Sequence, residues 1–156
     1  MAVSPIPAGY HTVTPYLIVS GAARAIEYYK KAFGAEEIMR HGGPDGRIGH
    51  AEIKIGDSRV MLADEFPEMG VKSATSIGGT PVGLCIYVNS ADAVFSQAVA
   101  AGGKIERPLQ DQFYGDRSGT LVDPFGHKWT IATHIEDVPP EEMKRRMAEA
   151  MKKKPA

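Results

Sequence analysis

The chain has 156 residues and 16.8 kDa, 43% of them hydrophobic, 24% charged, with a net charge of −1. That size fits one compact domain or two small half-domains, and the balanced charge offers no basic field to hold nucleic acid. A single cysteine, Cys85, excludes an internal disulfide framework and a cysteine-rich zinc site, and no apolar run reaches the roughly 18 residues of a membrane helix.

Residues 1–10, with Pro5, Pro7 and Gly9, read as an extended arm. They lack the basic start and apolar stretch of a secretory signal, so a cytoplasmic location is expected. Residues 13–19 (VTPYLIV) are β-branched and aromatic and predict a strand. Pro15 has no N–H to donate, so this strand belongs at a sheet edge or pairs through one side there. Ser20 offers an N-cap. Ala22, Ala25, Ile26, Tyr29 and Phe33 then follow the three-and-four spacing of an amphipathic helix, which Gly34 ends.

Strands are expected at 36–41, 47–55 and 59–64, with turns at Asp45-Gly46 and Gly56-Asp57. Residues 65–80 carry no period and read as a linker or mobile loop. The pattern then restarts. A strand covers 82–88, and Ala91, Val94, Phe95, Ala98 and Val99 form a helical stripe closed by Gly102-Gly103. Strands follow at 104–109, 116–122 and 127–133. The last segment opens with two prolines and two acids and ends in bases, as a helix dipole favours.

The two halves repeat. Val19-Ser20 matches Val88-Asn89, Ile26 matches Phe95 and Gly34 matches Gly103, all 69 apart; Ile55-Gly56-Asp57 matches Phe125-Gly126-His127 at 70. Each half reads strand, helix, strand, strand, strand. The fold class is therefore α+β, built from two βαβββ modules at about 12–65 and 81–135, joined by a linker at 66–80. Together they make one domain over 1–135, with a helical tail at 136–156. Each sheet has one face under a helix and the other open, and two such sheets curling together enclose a cleft.

The segments TPYLIVSGAARAIEYYKKAFGAE, GHAEIKIGDSRVMLADE and YGDRSGTLVDPFGHKWTIATH resemble the vicinal oxygen chelate superfamily, the glyoxalase, bleomycin-resistance and extradiol-dioxygenase group. The resemblance covers about 12–135 and is closer to the PhnB-like branch, with DPFGHKW as its most specific stretch. It implies curled mixed sheets, a homodimer with or without exchanged modules, and a metal held by His and Glu from the first and last strands of each module. Carried over one by one, those metal positions fall on Thr14, Val60, Gly83 and Thr130. None is a usual ligand. A slip of two gives Tyr16, Leu62, Cys85 and Ala132, which is no better, and a slip of four on the last strands reaches Asp64 and His134. The usual metal site is thus not expected, and no cofactor is assigned. The branch's methyltransferase label finds no nucleotide-cofactor motif.

The alternation in 50–55 puts Ala51, Ile53 and Ile55 under a helix and turns His50, Glu52 and Lys54 to the cleft or solvent. His50 beside Glu52 is the candidate catalytic pair, with imidazole as general base; the alternative is a hydrogen-bonded histidine on a polar half-face. Asp64 shares parity with Val60 and faces the cleft, or else caps the strand end. Tyr114, Asp116 and Arg117 in QFYGDRSG bind a polar ligand, or the acid and base pair internally. With Tyr16, these complete the ligand-binding set. Trp129 reads as core, His127 as ordering its turn, and the basic tail as a solvated helix face. The expected function is binding of a small molecule in the cleft without the metal quartet, and no membrane or nucleic-acid partner is expected. The alternative is a metal-dependent lyase or isomerase whose ligands come from His50, Glu52, Asp64 and His134.

Overall fold

The structure, a computed structural model, describes residues 2–154; Met1, Pro155 and Ala156, at the outer ends of the arm and the tail, lie outside the described residues. Two βαβββ units follow one another. The first comprises β1 (Tyr16–Val19), α1 (Ala22–Phe33), β2 (Glu36–Gly42), β3 (Ile48–Ile55) and β4 (Ser58–Asp64). The second comprises β5 (Gly83–Tyr87), α3 (Ala91–Ala100), β6 (Lys104–Asp111), β7 (Asp116–Val122) and β8 (Lys128–His134). Their sheets have the same order, β1-β4-β3-β2 and β5-β8-β7-β6, and in each the first strand runs parallel to the last. The segment read as a plain linker contains a 3-10 turn at Pro67–Met69 and a short helix, α2 (Ala74–Ile77), capped by the Ser73 hydroxyl. The terminal helix is α4 (Pro140–Lys152).

Edge placement explains Pro15. β1 lies at the sheet edge, and although Pro15 cannot donate, its carbonyl accepts the N–H of Met61 at 2.9 Å. Ser20 does not cap α1. Gly21 occupies that position with φ 99°, a left-handed conformation that disfavours any side chain, and the capping acceptor comes from the end of the adjacent strand β4: Asp64 Oδ1 takes the N–H groups of Gly21 and Ala22 at 2.8 and 2.9 Å.

One core spans both units. Leu17, Val19, Ile26, Tyr29, Ile53 and Leu62 of the first join Phe95, Leu121, Trp129 and Ile131 of the second. Tyr28 donates from its hydroxyl to the Ala98 carbonyl, and the Gln97 amide donates to the Ala32 carbonyl, tying α1 to α3. The polar centre of this junction is Asp123, 4% exposed, in the loop between β7 and β8. Its carboxylate accepts from the Tyr29 hydroxyl, the Trp129 indole and the backbone N–H groups of Phe125 and His127, at 2.5–3.0 Å. Trp129 is thus core, as its parity predicts, and the DPFGHKW stretch is a clamp between the two units. His127 orders the turn and also reaches the Ile18 carbonyl of the first unit at 3.1 Å.

Register corrects the face assigned to β4. Val60 and Leu62 are buried in the core beneath α1, and Asp64 shares their side; Arg59, Met61 and Ala63 have the opposite parity, which is that of the open face. Met61 stands beside Tyr16 and Glu52, as Thr130 stands beside Cys85 and Thr120. The repeat offset on the last strands is therefore 69, not 70, and the partner of Thr130 is Met61 rather than Val60.

Candidate functional site

The open face of the first sheet carries a chain of four side chains. β3 turns His50 and Glu52 to this face because Ala51, Ile53 and Ile55 are drawn into the core. The Tyr16 hydroxyl, from the edge strand β1, lies 2.7 Å from His50 Nδ1, and His50 Nε2 lies 3.0 Å from Glu52 Oε1. Glu52 Oε2 accepts from the hydroxyl of Tyr10, in the N-terminal arm. The arm thus crosses the open face instead of trailing away from it.

The electrostatics follow from those contacts. Hydrogen bonds from Tyr10 and then His50 hold the Glu52 carboxyl below the usual glutamate range. Tyr10 is pushed up to about 12, first by burial and then by Glu52, and burial followed by Glu52 also raises Tyr16. At neutral pH the face therefore presents an ionised carboxylate, with the phenol of Tyr10 held protonated beside it. Both His50 nitrogens are engaged, so the ring acts as a base only after giving up one of its bonds.

The other expected residues lie elsewhere. Asp64 is 7% exposed and occupied by backbone, with Oδ2 accepting the Ile48 N–H at 2.8 Å in addition to the two helix N–H groups on Oδ1. It is a strand-end cap and does not join the open face. Asp116 and Arg117, consecutive on β7, point to opposite sides. Arg117 grips Asp92 of α3 through Nε and Nη2 at 2.8 and 2.9 Å and Asp111 at 3.0 Å, and both arms of this pairing are solvent-exposed. Asp116 is buried and accepts from the Tyr87 hydroxyl and His134 Nδ1, each at 2.8 Å. Tyr114 is 40% exposed, with its ring edge-to-face with Phe113. The structure thus brings together Tyr16, His50 and Glu52, and separates Asp64, Tyr114, Asp116 and Arg117 from them.

A second polar group, which the sequence reading did not single out as a unit, joins Tyr87, Asp116, His134 and Asp137. His134 Nε2 lies 2.8 Å from Asp137, and the carboxylates of Asp137 and then Asp116 raise the imidazole above its ordinary value. Tyr87 is pushed up to about 12, chiefly by its hydrogen bond to Asp116, while burial and then Asp116 raise the Cys85 thiol. That thiol is poorly disposed to act as a nucleophile.

The metal positions do not fit a divalent ion. Thr14, Gly83 and Thr130 are not usual ligands, and register replaces Val60 by Met61, whose thioether suits soft metals only. In the displaced set, Asp64 is committed to backbone and His134 belongs to the second sheet. Among the described residues no three His, Cys, Asp or Glu side chains converge as a metal would require.

Beside the open face lies a cavity of about 640 Å³, between β5 and the end of the first sheet where β1 and β4 begin. Phe33, Val60, Leu84, Ile86 and Trp129 give it an apolar wall, and Arg59 and His11 add polar groups. No helix among the described residues is long and apolar enough to cross a membrane.

Comparison with known proteins gives consistent likenesses. The model of the Glyoxalase/Bleomycin resistance protein/Dioxygenase superfamily matches residues 10–131. An uncharacterized protein of Mycobacterium tuberculosis is 42% identical over 151 residues, covering 95% of this chain and 86% of the relative. Among solved structures, TioX from Micromonospora superimposes with a TM-score of 0.63 at 27% identity, covering 80% of this chain and 99% of its own. The PhnB protein of Bacillus cereus does so with 0.63 at 19% identity, covering 79% and 99%.

Proposed function

Because the chain belongs to the glyoxalase/bleomycin resistance protein/dioxygenase superfamily, we propose that it binds a small molecule on the open face of its first sheet, without the metal quartet of the superfamily's enzymes. The observation that carries this reading is the chain Tyr10–Glu52–His50–Tyr16, set on a face that no helix among the described residues covers and adjoining a cavity. Binding sites combine an apolar wall with a few fixed polar groups, and both parts are present. Release of Tyr10 by an incoming ligand would free Glu52 Oε2 as an acceptor.

The working form in this reading is a cytoplasmic homodimer. Edge strands β2 and β6 are largely exposed along their length, and Tyr16, Tyr87 and Val82 leave apolar surface uncovered, as a partner copy would require. A dimeric mass is expected by light scattering at micromolar concentration, and a monomeric mass would oppose this part of the reading.

Thermal-shift screening of a small-molecule library tests the binding function. At least one chemical class should raise the Tm of the wild type and lose that effect in the Glu52→Gln, His50→Ala double variant, with chelator leaving both melting curves unchanged. A library in which nothing shifts the Tm, or stoichiometric nickel, zinc or manganese in protein purified without added metal, would overturn it.

A further inference from the structure

We infer that the cavity beside the first sheet is built for an amphiphilic carboxylate, with Arg59 as the anchor for its anionic head; this rests on the small-molecule reading and adds the ligand's chemical class. Arg59 has the open-face parity of Met61 and lines the cavity. Its Nε and Nη1 are buried and meet no hydrogen-bond acceptor among the described residues. Desolvated guanidinium donors left without an acceptor are unfavourable, which marks this cation as incomplete.

The surroundings attract the cation, through the nearby charge of Glu52, without giving its Nε and Nη1 an acceptor. The face of the Tyr10 ring lies 5.6 Å from the guanidinium carbon, a cation–π contact that supplies no acceptor for the N–H groups. Gly9 packs so closely that a Cβ there would come within 2.8 Å of Nη2, and its φ of 85° also disfavours a side chain. The nearby carboxylates are engaged: Glu52 by Tyr10 and His50, and Asp57 by the Ser58 hydroxyl at 3.0 Å. The arm thus fixes a guanidinium at the wall of the cavity and covers its unpaired donors, which a ligand reaches by displacing Tyr10 and Gly9.

The rest of the wall selects the body of the ligand. Val60, Phe33, Leu84, Ile86 and Trp129 offer aliphatic and aromatic surface, where burial of a hydrocarbon chain is favourable. A planar carboxylate matches the guanidinium fork, so a ligand with an apolar body and a carboxylate end satisfies both halves of the cavity.

Trp129, the single tryptophan, lines this cavity and reports its occupancy. Octanoate should change its fluorescence saturably, at a concentration at least tenfold below that needed for the uncharged isostere octanamide. Arg59→Met, which keeps the apolar stem, should abolish that preference, and Arg59→Lys should keep part of it; a circular-dichroism melt establishes that each variant is folded. Equal binding of octanoate and octanamide by the wild type would overturn the anion assignment while leaving a small-molecule site. Absence of binding by either probe would overturn the inference, and the library screen then decides the broader reading separately. Unchanged octanoate preference in folded Arg59→Met would remove Arg59 from the role.

Discussion

The two units solve one problem with different chemistry. Each helix begins with backbone N–H groups that no residue of the helix can satisfy, and in each unit the acceptor comes from the last strand. In the first, Asp64 takes the N–H of Ala22; in the second, Thr133 takes the N–H of Ala91 at 2.8 Å and donates to the Val88 carbonyl at 2.7 Å. Both pairs are 69 residues apart. The carboxylate also binds Gly21 and Ile48, so it fastens the helix to β3 as well, whereas the second helix adds the Ser90 hydroxyl as a conventional cap. The same position can therefore hold a charge serving three donors or a hydroxyl serving one. The duplicated architecture constrains where an acceptor must stand, not what it must be.

Substitutions can break or sharpen this contrast, and urea unfolding measures them. The largest loss is expected where the units differ most, at Asp123, which belongs to a loop longer than the two-residue turn of the first unit. Asp123→Ala strands four donors in the core and should cost about 4 kcal/mol. Asp64→Ala, with three backbone donors left unpaired, should cost about 3 kcal/mol. Thr133→Ala should cost only about 1 kcal/mol. Equal losses at Asp64 and Thr133 would mean that the charge and the additional donors contribute nothing.

The smallest effect concerns pH. His134, which follows Thr133, has a folded-state pKa raised by Asp137 and Asp116. Its contribution to stability is thus fully present below the unfolded value near 6.5 and is lost as pH rises through the folded value. Wild type should lose stability relative to His134→Gln as pH rises above 6.5 and through the raised folded value. An NMR titration of His134 should give a midpoint above 6.5 that falls in Asp137→Asn.

The order of elements, the repeat and the orientation of His50 and Glu52 were legible because polar and apolar residues alternate cleanly along 50–55. The orientation of β4 was not. Val60, Met61, Leu62 and Ala63 are all apolar, so period two offers no contrast, and only pairing with β3 decides which face each takes. A cap at Asp64 was one of the two readings offered, but that it caps α1 was hidden, since Ser20 stands at the usual place and its competitor lies 44 residues further on. Tyr10 escaped notice for a related reason. An arm rich in Pro and Gly reads as loose chain, and nothing local in it announces a hydroxyl bound for Glu52. Asp116 and Arg117 looked like a unit because they are adjacent, although adjacency along a strand separates side chains rather than joining them.

The Asp123 clamp also bears on how the molecule opens. Tyr29 and Trp129 share one buried carboxylate, and His127 reaches across to Ile18, so neither sheet can detach without exposing polar groups of the other. Slow amide exchange should accordingly disappear from β3 and β7 at the same denaturant concentration, as from a single foldon. The sequence is written twice, but its protection against exchange should be lost once.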